Sequence, residues 1–490
     1  MRAAPILSGP DRTSHRFERA PDHEVSSAAR SKRVLWFAAV ALWLGCVGAM
    51  TLDVGMLVFW IAAGVSALIV LVGLRGELRS GGMLFLAVSV GLAAGPNNTT
   101  NGNQFQAALV VSAGLLLALL LSFSGAKLPR RHRSPAFIAV VAAAILFLAL
   151  EYFSSAANES ANLTYVFVRF VLPSLLALLV CLRLRAGGAR LFLDGVILLG
   201  VAQAVLAVLE VAKIAIPPFG PATTNGAELP HPINTELIRA QGMLGHPILL
   251  GMLLVVAMLI LAFRRPRSSL WVLIAGEAVL ALGAYLSGSR SAWAIGAVCL
   301  IFALVSERAS VVAKMFLAIA LVAVLSFALL DQRAFSLIAG QWDRFSESGS
   351  YSHRADFWTY VGQLANLRSS SEVLFGSGVG SELELFNRGL LQQDGFQVVD
   401  NQFLTTLATI GITGAFALVV LSLVGAFRLR GGARLAFISL CLMFFIFDEL
   451  RWLGPPILFF SLLGLVGIPL DARSAEAETV AESDFAEVRA

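Results

Sequence analysis

Apolar residues run through this chain in long stretches that are neither the alternating pattern of a half-buried strand nor the one-faced pattern of a surface helix. They fall near 34–50, 54–74, 82–95, 106–125, 135–153, 165–182, 191–214, 245–263, 270–286, 291–305, 311–330, 402–427, 433–447 and 455–469. A helix that crosses the hydrocarbon core uses about 20 mostly apolar residues. The pattern therefore predicts an all-α, polytopic integral membrane protein with about 14 transmembrane helices. The third run is short, and the two runs around Ser287–Arg290 also read as one broken helix.

The charges between the runs predict a topology. Of the 36 Lys and Arg residues, 26 fall in the termini and in alternate connections, and eight fall in the other connections. Those eight are Arg239, Arg290, Arg333, Arg344, Arg354, Arg368, Arg388 and Arg451. Positively charged loops stay in the cytoplasm, so both termini are expected inside and the long 331–401 loop outside. Residues 1–33 are polar and rich in Arg and Ser, which suits a disordered cytoplasmic segment. No small-residue cleavage site follows at the usual place, so the first run reads as a retained signal anchor. Residues 34–470 form the multi-span domain, and 471–490 form an acidic cytoplasmic tail carrying Glu476, Glu478, Glu482, Asp484 and Glu487.

Composition sharpens this picture. The 490-residue chain is 58% hydrophobic and 14% charged, with a mean hydropathy of +0.80. Soluble domains are about 45–50% apolar and about 25% charged. A soluble enzyme and a nucleic-acid binder are excluded on that ground, and membrane lipids are the expected surroundings. Cys46, Cys181, Cys299 and Cys441 all fall within or at the end of apolar runs, with no CxxC spacing, and read as small core residues. No HExxH or Cys/His metal pattern and no GxSxG elbow occurs, so no metal or cofactor is expected.

Chemistry is expected in the two long exofacial connections, 215–244 and 331–401, which spanning helices do not need for stability. Glu151, Arg169, Glu210 and Lys213 fall within runs, where ionisable groups are expensive and face a cavity or a partner. Glu210 and Lys213 are spaced to pair on one helical face, which would be a structural salt bridge. Residues Arg354–Leu367 predict an amphipathic helix carrying Phe357, Trp358, Val361, Leu364 and Ala365 on one side, either on the membrane surface or against the bundle. Gly376-Ser377-Gly378-Val379-Gly380 lacks the Lys-Ser/Thr of a phosphate loop and reads as a tight turn. Asn98, Asn158 and Asn162 sit in N-x-S/T sequons in predicted exofacial loops, matches that arise readily by accident.

Four segments, in order, resemble the O-antigen ligase and polysaccharide polymerase superfamily. They are Arg239-Ala-Gln-Gly242-Met-Leu-Gly245-His246-Pro247; Ser287-Gly288-Ser289-Arg290-Ser291-Ala292-Trp293; Arg354 and Trp358 followed by Leu374-Phe375-Gly376-Ser377-Gly378-Val379-Gly380; and Asp400-Asn401-Gln402-Phe403-Leu404, followed by Gly411-Ile412-Thr413-Gly414. The resemblance spans roughly 235–430. It implies a membrane glycosyltransferase acting on the outer face of the cytoplasmic membrane, with neither metal nor nucleotide. The implied donor is a glycan on a polyprenyl diphosphate. The acceptor is lipid A core for a ligase, or the next lipid-linked repeat unit for a polymerase.

The residues fit that chemistry. A departing diphosphate gains negative charge as the glycosyl bond breaks, and fixed guanidinium groups stabilise it through paired hydrogen bonds. Arg239, Arg290 and Arg354 are the candidates; the bland alternative for each is an interfacial anchor or a salt bridge. The acceptor hydroxyl needs a general base. Many ligases carry His just before the Asn that opens the post-loop span; here that position is Asp400, which favours a polymerase or another relative over a lipid A ligase. His353 is the second candidate base, and helix N-capping is the bland alternative for Asp400. The competing classes are a secondary transporter or flippase, and a non-catalytic channel or scaffold. A transporter of this size usually shows repeated halves, which this sequence lacks.

Overall fold

The computed structural model describes residues 21–52, 56–94, 101–123, 135–156, 162–218, 220, 223–224, 227–234, 236–263, 270–305, 357–393 and 399–470. Its helices are α1 (Pro21–Thr51), α2 (Met56–Gly73), α3 (Gly76–Ala94), α4 (Asn101–Ser122), α5 (Pro135–Ala156), α6 (Leu163–Arg183), α7 (Ala186–Val211), α8 (Pro247–Ala262), α9 (Leu270–Leu286) and α10 (Arg290–Val305). After the long connection come α11 (Phe357–Asn366), α12 (Ser370–Phe375), α13 (Glu382–Asn387), α14 (Gln402–Thr409), α15 (Gly411–Arg428), α16 (Gly431–Met443) and α17 (Gly454–Gly464). A two-residue hairpin, Thr223–Thr224 against Ala227–Glu228, is the sheet found among the described residues.

Every predicted run coincides with a helix except 311–330, which lies outside the described residues. Among the described residues, seven helices are long and apolar enough to cross a membrane, and five shorter apolar ones accompany them. The protein is an all-α, multi-pass membrane protein. The short third run belongs to a longer helix that begins at Gly76. Helix α1 begins at Pro21, inside the polar segment expected to be irregular.

Two helices form the centre. All of α17 is buried, as is all of α8 except Met258. A helix that is apolar on every side sits either in lipid or among other helices; these two are enclosed by other helices. Helix α8 packs against α7, α9, α10 and α16, and α17 against α3 and α6. Cys46, Cys181 and Cys299 are buried within this packing, as expected of small core residues.

The ambiguity around Ser287–Arg290 resolves as a break, and a second break divides a run read as one helix. Helix α9 stops at Leu286 and α10 starts at Arg290, with Gly288 at φ +60° between them. The single run 402–427 divides into α14 and α15 at Gly411, where φ is +76°. A break inside an apolar run frees carbonyls that lipid cannot satisfy. Here the partners come from the connection that precedes α14. Arg368 donates from Nη1 to Ala408 O (2.8 Å) and from Nη2 to Leu407 O (3.1 Å). The amides of Ser377 and Gly378 donate to Ala408 O (3.0 Å) and Thr409 O (2.9 Å). The tight turn read in the sequence is thus a cap for a broken helix, with Gly376, Gly378 and Gly380 all at positive φ.

The described part of that connection also forms a small core with α14. Leu364 of α11 packs with Leu385, Phe386, Leu390, Leu391, Leu404 and Ala408. The amphipathic helix therefore rests on α14, the second of its two sequence readings.

The break makes a specific prediction. A Cβ on Gly411 would overlap the Leu374 carbonyl, and the backbone there is left-handed. Gly411→Ala is expected to cost about 1–3 kcal/mol, seen as a lower thermal unfolding midpoint of the purified protein in detergent. An unchanged midpoint would contradict the locked break.

Candidate functional site

Among the described residues, Arg239 and Ala240 are hydrogen-bonded to the end of α9, and Asn401 and Gln402 to the 444–453 segment; ring contacts of His246 with Phe447 and Trp452 join the two at one face of the bundle. Two polar clusters form there, joined by the first turns of α8.

The first cluster surrounds the 287–289 turn. Arg239 donates from Nε to Ser287 O (3.2 Å), and Ala240 N donates to Leu286 O (2.9 Å). Arg290 opens α10 three residues after Ser287. Two of the three arginines chosen from the sequence therefore meet at one turn. Gly288 is required there: a Cβ would fall 2.8 Å from Pro232 Cδ and 2.9 Å from Arg239 Cγ. The segment after Arg239 is held from below by α7. Glu210 Oε2 accepts from Gln241 N (3.0 Å) and Gly242 N (2.8 Å), and Gln203 Oε1 accepts from Met243 N (3.0 Å). This corrects the expected Glu210–Lys213 pair: Lys213 lies past the helix end, exposed and at φ +58°, while the Glu210 carboxylate turns inward to backbone amides.

The second cluster surrounds the segment between α16 and α17. Asp400 lies at its edge, because the residues after it are bound to it: Asn401 Nδ2 donates to Phe445 O (3.2 Å), Gln402 N to Phe444 O (2.8 Å), and Leu450 N to Gln402 Oε1 (2.7 Å). The cap of α14 is Asn401, whose Oδ1 accepts from Leu404 N (3.0 Å), so the capping alternative for Asp400 falls away. Asp448 faces Asp400. Burial raises its carboxyl well above the usual range, Asp400 adds to the rise, and Arg451 opposes it. Glu449 is buried, with neither carboxyl oxygen hydrogen-bonded among the described residues; burial and then Asp448 push it upward as well.

Arg451 ties this segment to the bundle and to the loop. Its Nη1 reaches Glu151 Oε1 (3.2 Å), its Nε lies 3.5 Å from Glu382 Oε1 as an ion pair, and its Nη2 donates to Thr409 Oγ1. Arg169 donates from Nη2 to the Arg451 carbonyl (3.1 Å) and from Nη1 to the Tyr165 hydroxyl, which in turn donates to Gln104 Oε1 (2.8 Å). Arg169 sits in one turn of π-helix, Phe167–Val171, a distortion common at functional sites. Asn162, read as an accidental sequon, caps α6 through Tyr165 N (3.0 Å).

His246 connects the clusters. It caps α8, accepting from Ile248 N (3.2 Å), and its ring lies 4.8 Å from that of Phe447. Gly251, where a Cβ would meet Ser287 Oγ and Ser289 Cβ, is one and a half turns further, about 7.5 Å along the axis.

Arg239, Arg290 and Asp400 thus share one face. Arg354 and His353 lie outside the described residues. Sequence reasoning singled out Glu151 and Arg169 as costly but gave them no partner, and it passed over Asp448 and Glu449. The available signal was the packing of Asp448, Glu449 and Arg451 into four residues between two apolar runs.

Residues 278–419 match the family model described as O-Antigen ligase. That span contains the 287–293 segment, the capping turn and Asp400–Leu404, and over those segments it bears out the resemblance to the O-antigen ligase-like superfamily; Arg239–Pro247 lies outside it. No curated protein matches the chain.

The buried ion pair predicts a non-additive response. Removing one partner of such a pair costs about 3–5 kcal/mol, because the other charge is left buried, whereas apolar replacement of both costs far less. Glu151→Leu is expected to lower the unfolding midpoint more than Glu151→Leu combined with Arg451→Met. A double variant as unstable as the sum of its parts would rule out direct pairing.

Proposed function

We propose that the protein is a glycosyltransferase that moves a glycan from a polyprenyl diphosphate to an acceptor glycan on the outer face of the cytoplasmic membrane. The observation that carries this reading is the placement of Arg239 and Arg290 on one turn, on the same bundle face as Asp400. Arg239 and Arg290 hold the diphosphate, with Arg354 as a third donor from the loop. As the glycosyl C–O bond breaks, its electron pair passes to the phosphate oxygen and the guanidinium groups bind the charge that develops. The acceptor hydroxyl attacks the anomeric carbon and gives its proton to a base, Asp400 in the first instance and His353 in the second. The glycan or lipid-linked acceptor approaches from outside, and the polyprenyl tail stays among membrane lipids. The Asp at position 400 favours a polymerase over a lipid A ligase.

Lysine keeps the charge of Arg290 but loses its planar fork. Arg290→Lys is therefore expected to lose at least about 90% of transfer while the protein still accumulates in the membrane, because a point charge replaces two parallel bonds of fixed geometry. Wild-type glycan length from Lys variants at all three arginines would remove the donor-site assignment. For the base, Asp400→Asn is expected to abolish transfer. Normal polymerisation by Asp400→Asn with loss in His353→Ala moves the role to His353. Deleting the gene separates the two enzyme classes: loss of long chains with single repeat units persisting marks a polymerase, and accumulated lipid-linked polymer marks a ligase.

A further inference from the structure

His231 precedes a proline in the 229–239 loop and takes no part in the chemistry above, yet it is fully buried and bonded at every polar atom of its ring. Nε2 lies 2.8 Å from the Tyr285 carbonyl, which can only accept, so Nε2 carries the hydrogen. Nδ1 then accepts from Ile233 N (3.3 Å) and Asn234 N (3.2 Å). These bonds define one neutral tautomer. Burial lowers the pKa of the imidazole, Arg239 nearby lowers it further, and the bond to Tyr285 pulls the other way. The ring also lies 4.6 Å from that of Tyr285 and 5.8 Å from that of Trp293, and these two stack with planes 9° apart.

The loop around His231 leads directly to Arg239. His231 N donates to Leu237 O (2.8 Å), Arg239 N donates to Leu229 O (3.0 Å), and Pro230 bridges Ile238. His231 and Arg239 are therefore rungs of one short antiparallel ladder, and both end on the same stretch of backbone. At the C-terminus of α9, the carbonyls from Ala284 to Ser287 run out of amides four residues on; Tyr285 O takes Gly288 N (2.9 Å) and Ala284 O takes Ser287 Oγ (2.7 Å) locally, and each of the four also has a partner from further away. Trp293 Nε1 donates to Ala284 O, His231 to Tyr285 O, Ala240 N to Leu286 O and Arg239 to Ser287 O. Two of these four carbonyls are bound by side chains of the ladder and a third by the amide that follows it.

We propose that His231 is a positioning residue that fixes the guanidinium of Arg239 at the 287–289 turn. The inference rests on the proposed function only for the purpose of that guanidinium, which is to receive the donor diphosphate. Without the imidazole, the ladder loses its anchor on Tyr285 and two loop amides lose their acceptor, so Arg239 is no longer held in one orientation.

Two readouts test this, one independent of activity. Phenylglyoxal modification of purified full-length protein, read by mass spectrometry at Arg239, should proceed at least about threefold faster in His231→Ala, with Arg368 and Arg388 unaffected as internal references, since the ladder loses the hydrogen bonds that His231 makes to Tyr285 O and to two loop amides. In transfer assays, His231→Ala should lower kcat/KM about tenfold in the wild-type background but less than twofold in Arg239→Lys, the non-additivity expected of residues acting through one group. Unchanged Arg239 modification overturns the positioning role. Faster modification with unchanged transfer keeps that role and instead removes Arg239 from the donor site. Equal losses in both backgrounds show a general structural effect and also overturn the proposal. If His231→Ala does not accumulate, His231→Gln, which keeps a donor toward Tyr285, and His231→Asn, which keeps an acceptor for the loop amides, carry the same measurements.

Discussion

Interrupted helices set the terms for this face of the bundle, because each interruption leaves carbonyls and amides that the membrane cannot satisfy. At the end of α9, four successive carbonyls take tertiary partners, two of them side chains from one loop. At the α14–α15 break, Arg368 and the glycine-rich turn supply the partners. The helix C-terminus also carries partial negative charge, which favours a cation such as Arg239 beside it. The same requirement that stabilises the fold therefore fixes where the arginines stand.

The charged groups inside the bundle follow the same logic. Arg451 and Glu151 are about 9% and 8% exposed, and each would be prohibitive alone. Together with Glu382, Thr409 and Arg169 they join α5, α6, the 382–387 helix and the 444–453 segment. That segment in turn seats Asp400 through Asn401 and Gln402. The carboxyl-rich pole and the arginine-rich pole are separate clusters, and α8 spaces them through His246 at one and Gly251 at the other. A donor anion and an acceptor hydroxyl need such opposed environments, one that binds negative charge and one that takes a proton.

Much of the fold was legible in the sequence, since an apolar run of spanning length has few alternatives. The nearness of Arg239 to the turn before Arg290 fits the sequence, which places both in connections on the same side. The Arg451 network was not legible. Its members are separated by up to 300 residues, and an isolated Glu151 or Arg169 in an apolar run reveals only that a partner exists. Glu210 misled for a related reason. Helical spacing offered Lys213 as a partner, but the helix ends before the charge, and backbone amides of a distant loop reach the carboxylate first. The role of His231 was hidden likewise: a histidine before a proline gives no sign of the carbonyl that it will meet.

The proposed enzyme joins sugars rather than moving them across the membrane. The most direct measurement supplies purified, folded protein in detergent with lipid-linked repeat units and no membrane potential, and sizes the glycans that form. Lengthened glycan, lost in Arg290→Lys, is the predicted result. Absence of any longer product from a folded preparation given its native lipid-linked substrate would contradict the account.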